Sequence, residues 1–372
     1  MSDRRLRIGV DAHVIGRQQT GNERFLTNLV RAMRALSPHE LFLYFTDERA
    51  ASDSRGRGDA RTTVRLLGPR NPFVRIPVSL PLRARRDRVD VLLVHYNAPP
   101  VAPCPVVTIV HDVAFARYPE YYSRFDRAWM PRTIPASMRR AAAVVTVSRF
   151  SRDEICTLYV IPPAKIAVAH DGVDRLFSDR TQRPCPVDPP FFLAVGNLQP
   201  RKNLATLLRA FRLLVESNPE IEERLVIAGK PAFGAEQIHA AGEDLRREGR
   251  VVFTGYVPDE ELVGLLQRAT AFAYPSVYEG FGLPVVEAMS AGVPTLASDI
   301  PVMREVAGDG ALLLPATDPG AWADGLRRVA ADGSLRAGLV ERGRARAARY
   351  TWEECARVVL ATLERVARPA GR

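Results

Sequence analysis

Ser276 to Ser298 reads SVYEGFGLPVVEAMSAGVPTLAS, and its punctuation decides the fold. An apolar strand, Thr270 to Pro275, runs into the turn Gly280-Phe281-Gly282-Leu283-Pro284. Val285 to Ala291 then follows helical spacing, with Pro284 predicted at the first helical position, where its missing N–H costs nothing. A second apolar run, Thr295 to Ser298, comes at once. Strand, glycine turn, helix and strand make a βαβ unit, and the exposed N–H groups of such a helix N-terminus suit a phosphate. Glu279 and Glu287, with seven residues between them, are expected to face the mouth of the crevice, Glu287 from the first helical turn. Carboxylates there repel phosphate, so neutral sugar hydroxyls are their natural partners. The plainer reading is two acids complementing a helix dipole, worth a few tenths of a kcal/mol each.

Upstream the same grammar repeats. Phe191 to Gly196 is a strand, followed by Asn197-Leu-Gln-Pro-Arg201-Lys202-Asn203 and the helical pattern LATLLRAFRLLV. Two adjacent cations at a strand's carboxyl end can bracket a diphosphate. Leu225 to Gly229 with Lys230, and Val251 to Gly255 with Tyr256, are further strands and turns. Asp174 to Pro190 holds four prolines without periodicity and reads as a linker.

The first half alternates in the same way. Strands are predicted at Arg7 to Asp11, Leu41 to Phe45, Val64 to Leu67 and Val89 to Val94, with Ala50 to Arg61 as a surface loop. Val106 to Phe115 (VVTIVHDVAF) has a β-branched run ending at His111-Asp112, where open α/β sheets place ligands. His95 closes the preceding strand, while His13, His39, His170 and His239 lack such context. A strand from Ala141 ends at Ser148 with a helix starting near Ser151. A long apolar-periodic helix after Trp352 closes the chain.

These motifs occur in an order that resembles the retaining glycosyltransferases of family 4, with GT-B architecture. The Glu279/Glu287 spacing resembles the family's E-x7-E element. Thr20-Gly21 resembles its first loop, with Asn22-Glu23 following, and His111-Asp112 its His-Asp. His170-Asp171-Gly172-Val173-Asp174 resembles its N-G-V-D turn. Lys202 matches its pyrophosphate lysine; Asn197 stands where the family often has Arg, so Arg201 is expected to supply the second cation. The resemblance covers roughly residues 6 to 366. It implies an α/β chain of two doubly wound Rossmann-like domains facing each other across a cleft: 1–173 for the acceptor, a linker at 174–190, 191–350 for the nucleotide sugar, and 351–372 crossing back onto the first domain.

The resemblance further implies a retaining transferase acting on a nucleotide-diphosphate sugar and a glycan or lipid-linked acceptor. Glu279, His111, Lys202 and Arg201 would be catalytic. Glu287, Gly280, Phe281, Gly282, Leu283, Gly196, Asn197, Gly229 and Tyr256 would bind the donor, and Thr20, Gly21, Asn22, His95 and Asp112 would serve the acceptor or the first loop. Similarity of GNLQPRKNL to transferases using GDP-mannose points to mannose. No D-x-D occurs, so no metal and no other cofactor is expected. The competing readings are a dinucleotide-dependent oxidoreductase, for which Gly280-Phe281-Gly282 and Asp299 would be fingerprint residues, and a non-catalytic nucleotide-sugar-binding protein.

Composition limits the rest. With 372 residues, 47% hydrophobic and 25% charged, the chain suits two globular domains. Four scattered cysteines form no zinc or disulfide pattern. The opening MSDRRLRIGVDAHVIG has too short an apolar run for a signal peptide, so a cytoplasmic location is expected. The net charge of +10 is spread without a basic-aromatic stripe, which argues against nucleic acid. The segment FVRIPVSLPLRARR is compatible with peripheral contact at the inner face of an anionic membrane.

Overall fold

The computed structural model describes residues 5–17, 20–56 and 60–367, Thr20 by its backbone only. The chain divides into two compact units. Unit 1 comprises Met1–Val113, Ala128–Gly172 and Thr351–Arg372; unit 2 comprises Ala114–Arg127 and Val173–Tyr350.

Unit 1 is built on strands β1 (Arg7–Asp11), β2 (Glu40–Phe45), β3 (Thr62–Leu66), β4 (Val91–His95), β5 (Val106–Ile109), β6 (Ala143–Thr146) and β7 (Ile166–Val168). They pair in parallel in the order β3-β2-β1-β4-β5-β6-β7. β1, β4 and β5 lie in the middle and are apolar along almost their whole length, as a sheet covered on both faces requires. The terminal helix Trp352–Ala367 packs on the helix Thr20–Leu36, with the Trp352 and Phe25 rings 5.7 Å apart.

Unit 2 has β8 (Phe191–Val195), β9 (Arg224–Ala228), β10 (Val251–Gly255), β11 (Ala271–Tyr274), β12 (Thr295–Ser298) and β13 (Leu312–Leu314), all parallel in the order β10-β9-β8-β11-β12-β13. In both sheets the order reverses beside the first strand of the unit, the switch point at which loops splay apart and ligands enter. The core of unit 2 is filled by Phe192, Phe211, Ile227 and Trp322.

Several expectations need correction. Ala50 to Arg61, expected as a loop, contributes to the helix Glu48–Gly56. Asp47 Oδ1 accepts from Ala50 N at 3.0 Å, Glu48 complements the dipole and Ala51 is buried, so short polar residues still pay their way as a first turn and an inner face. Residues 174–190 are not a free linker. Gln267 Nε2 donates to the carbonyls of Asp179 and Thr181 at 3.1 and 3.0 Å, and Arg183 pairs with Glu260 at 2.8 Å. Ala114–Arg127 belongs to unit 2, where the Tyr118 ring lies 5.6 Å from Tyr278.

Candidate functional site

In unit 2 the strand ends of β8 and β11 carry the chemistry. After β8 the chain passes Gly196 and Asn197 into a single 3-10 turn, Pro200–Lys202, and Asn203 adopts a left-handed conformation (φ 54°) before the helix Leu204–Ser217. Asn203 fastens this turn: its Nδ2 donates to the carbonyls of Pro275 at 3.0 Å and Ala316 at 2.7 Å. Val277 N in turn donates to the Arg201 carbonyl at 3.0 Å. The two loops are thus held side by side by the Asn203 side chain and a backbone hydrogen bond, and their charges meet.

Arg201 Nη1 lies 2.7 Å from Glu279 Oε2 and donates also to the Tyr278 carbonyl at 2.6 Å. Lys202 Nζ lies 2.6 Å from Glu279 Oε1 and donates to Tyr274 Oη at 2.7 Å. Each carboxylate oxygen therefore has its own cation. Glu279 is buried, and burial alone would raise its pKa; Arg201 and Lys202 outweigh that and hold it at about 2. The same burial, with the Glu279 charge beside it, pushes the Tyr274 hydroxyl well above its ordinary value, so it stays protonated.

The turn after Glu279 is also as short as the sequence suggests. Gly282 caps the helix Leu283–Ala291 at φ 101°, a conformation that L side chains rarely adopt. Pro284 is the second helical residue instead of the first, and Glu287 falls in the second turn, buried. Both carboxylates are buried, so neither Glu279 nor Glu287 is an exposed helix-start acid. Phe281 is buried with its ring 5.2 Å from Tyr350, Gly280 is buried in the turn, and Leu283 is buried at the helix start. Gly229 stands behind the loop that follows β8: a Cβ there would lie 1.9 Å from the Gly196 carbonyl oxygen. Tyr256 is more than half exposed, with Lys230 Nζ 4.5 Å from its ring centre. Asp299, the ribose acid of the oxidoreductase reading, is ion-paired to Arg304 at 2.5 Å.

In unit 1, His95 and His111 come from adjacent strands and meet with their Nε2 atoms 2.7 Å apart. At that distance one Nε2 carries the proton and the other accepts. Burial lowers both pKa values, that of His111 to about 3, and His111 and His13 beside it lower that of His95 further, so both rings are neutral. Phe25 packs edge-on against His111 at 4.5 Å. Asp112 is half-buried beside it, Gly21 is exposed and Asn22 half-buried in the first turn of the helix Thr20–Leu36, and the Thr20 side chain lies outside the described residues. In that same turn Glu23 bends back, accepting from Gly16 N at 2.7 Å.

Sequence reasoning missed a second buried ion cluster in unit 1. Asp11, at the carboxyl end of β1, lies 2.5 Å from Arg75 Nη1 and 3.1 Å from His13 Nδ1. Burial would raise the Asp11 pKa, but His13 and Arg75 hold it far below the carboxylate range. His13 was expected to be without context; an Asp two residues before it at a strand end was the available signal, while Arg75, 64 residues away, had none. Tyr274 and Asn203 were likewise not singled out.

Both halves of the chain match families of known proteins. The family description Glycosyl transferases group 1 matches residues 159–346, and Glycosyltransferase Family 4 matches residues 20–175. The chain is 34% identical over 257 residues to O-antigen chain mannosyltransferase B of Escherichia coli, covering 67% of each chain. It is 30% identical over 220 residues to O-antigen chain mannosyltransferase RfbU of Salmonella typhimurium, covering 59% of each. The solved structure of Anabaena HepE in complex with UDP-glucose is similar in fold, with a TM-score of 0.75 at 17% identity over 97% of this chain and all of that one.

Proposed function

The chain belongs to the group 1 glycosyltransferases, and from that membership we propose that it moves a hexose from a nucleotide-diphosphate sugar to a hydroxyl of a glycan or lipid-linked oligosaccharide, with retention. The oxidoreductase reading falls with the same membership. Mannose from GDP-mannose is the first donor to test, because two relatives are mannosyltransferases of O-antigen chains and the loop Gly196–Leu204 reads GNLQPRKNL. Cell-surface polysaccharide synthesis, at the face of an anionic membrane, is the proposed setting.

The observation that carries this reading is the pairing of Arg201 and Lys202 with Glu279 beside the N-terminus of the helix Leu283–Ala291. Departure of a nucleoside diphosphate develops negative charge on phosphate oxygens, and preorganised cations and helix N–H groups stabilise that charge without reorganising. In the free protein Glu279 holds both cations in place. When the diphosphate arrives, they are shared with it, and the Glu279 carboxylate is left to accept from donor-sugar hydroxyls. Glu287 would hold the ribose. The cations already present supply the charge that a metal would bring, so transfer is proposed to be metal-independent. The leaving phosphate itself would take the acceptor proton, as the family's internal-return proposal has it.

The test is thermal stabilisation and slow donor hydrolysis across UDP-, GDP- and ADP-sugars with EDTA present, for the wild type, Glu279→Ala and Lys202→Ala. One stabilising donor, hydrolysed by the wild type and at least a hundredfold more slowly by Lys202→Ala, is the expected outcome, a loss of about 3 kcal/mol of transition-state stabilisation. Stabilisation without turnover, even with lipid-linked acceptor, would make the protein a nucleotide-sugar binder. No stabilisation by any donor would refute the reading.

A further inference from the structure

Residues Pro72–Arg86 of unit 1 form one continuous helical segment: a short α-turn Pro72–Val74 capped by Asn71, a wide π-turn Arg75–Ser79, and an α-helix Leu80–Arg86. Its inner side is fastened to the unit. Arg75 is buried against Asp11, and Leu80 and Ala84 are buried among Phe42, Tyr44 and Val94. Its outer side is a row of exposed apolar side chains, Phe73, Val74, Val78 and Leu82, the last three at four-residue spacing. Trp129, from the helix Arg124–Arg140, joins the row with its ring 5.0 Å from Phe73.

The segments that form this row carry an excess of positive charge. Residues 70–88 hold six arginines and one acid, Asp87, which is buried and paired with Arg83 at 2.9 Å. Arg85, Arg86 and Arg88 are exposed, and none has a carboxylate partner among the described residues. The helix Arg124–Arg140 adds five arginines, Arg132 among them, and one acid, Asp126, which accepts from Ser123 Oγ at 2.7 Å. A protein partner covering an aliphatic row normally meets mixed charges at the rim. Apolar side chains with an aromatic at their edge and an excess of arginines beside them, three of these without a carboxylate partner, match instead an interface with hydrocarbon beneath and phosphates above.

We propose that this face of unit 1 docks on an anionic lipid bilayer, the Phe73–Trp129 pair, Val78 and Leu82 entering the headgroup boundary while Arg85, Arg86, Arg88 and Arg132 meet lipid phosphates. This deepens the membrane setting of the function proposed above, and gives a lipid-linked acceptor a defined side from which to approach unit 1.

The experiment uses the full chain with vesicles of phosphatidylcholine alone and of phosphatidylcholine mixed equally with phosphatidylglycerol. Binding is followed by sedimentation and by tryptophan emission. Trp322 and Trp352 are buried, so an emission change reports Trp129. Sedimentation and a blue shift are expected only with the anionic vesicles, and should fade at high salt. Arg85→Gln with Arg86→Gln should weaken binding about thirtyfold, since each basic residue at such a surface contributes roughly a factor of five. Val78→Ser with Leu82→Ser should abolish the blue shift. Both double variants change exposed residues, and donor hydrolysis without vesicles should be unchanged in them; vesicle binding by a protein that hydrolyses no donor would uphold this inference while refuting the transferase reading. Equal binding to neutral vesicles, no binding to either, or a wild-type dimer that Val78→Ser with Leu82→Ser dissolves would overturn the proposal.

Discussion

Replacing Glu279 by Gln is the most searching perturbation of unit 2, because it removes one charge and almost no volume. The carboxylate has one cation on each oxygen, at 2.7 and 2.6 Å, and is buried. An amide offers one acceptor and presents its NH2 to the other cation, so either Arg201 or Lys202 faces a donor. Holding the carboxyl at about 2 against an ordinary 4.5 corresponds to about 3 kcal/mol. Breaking a buried pair by removing one partner independently gives roughly 3–5 kcal/mol. At roughly 2–4 °C per kcal/mol for a unit of this size, Tm should fall by about 6–12 °C. The folded pKa lies below the unfolded one, so this stabilisation is complete above pH 4.5 and is lost as pH falls through about 2. The assay is thermal unfolding at pH 7 of the wild type, Glu279→Gln, Lys202→Met and the double variant, each with and without inorganic pyrophosphate. The double variant should be less destabilised than the two singles together, because the cation left stranded in Glu279→Gln is gone. Pyrophosphate should restore more stability to Glu279→Gln than to the wild type, by replacing the lost anion. A Tm for Glu279→Gln within about 1 °C of the wild type, with additive effects in the double variant, would refute the claim that Glu279 is the counterion of this cluster.

Two further outcomes follow from the same structure. Gly229→Ala should displace the Gly196 loop, whose carbonyl lies 1.9 Å from the added methyl, destabilising unit 2 by roughly 1–3 kcal/mol or more and weakening nucleotide-sugar binding in a thermal-shift titration. His95 and His111 have folded pKa values below the unfolded 6.5, so their contribution is complete above pH 6.5 and falls as pH drops towards about 3. Urea unfolding from pH 7 to 4 should therefore show stability falling with acid, and His111→Gln should reduce that slope by about 1.4 kcal/mol per pH unit, which a wild-type slope in the variant would contradict.

The element order was legible because buried parallel strands need continuous apolar runs, and Val91 to Val94, Val106 to Val110 and Phe191 to Val195 are such runs. The helix Glu48–Gly56 was hidden by composition: Ser, Asp and Gly favour turns, and only its capping by Asp47 and the burial of Ala51 let it form. The packing of residues 174–190 was equally unreadable, since its hydrogen bonds run to Gln267, far along the chain.

For the candidate site, the sequence by itself determined which residues have the right chemistry and that they stand at strand ends: Glu279, Arg201, Lys202, His95 and His111 all follow apolar runs. It also determined where backbone must turn sharply, at Gly282. Only the tertiary structure decided how these charges are spent. It set Glu279 between the two cations expected to bracket a phosphate, paired two histidines 16 residues apart through their Nε2 atoms, and buried Asp11 with an Arg75 that no local pattern linked to it. The reason is physical: strand order brings loop ends together regardless of their distance in sequence, and once water is excluded each buried charge must find a partner among whatever those ends supply.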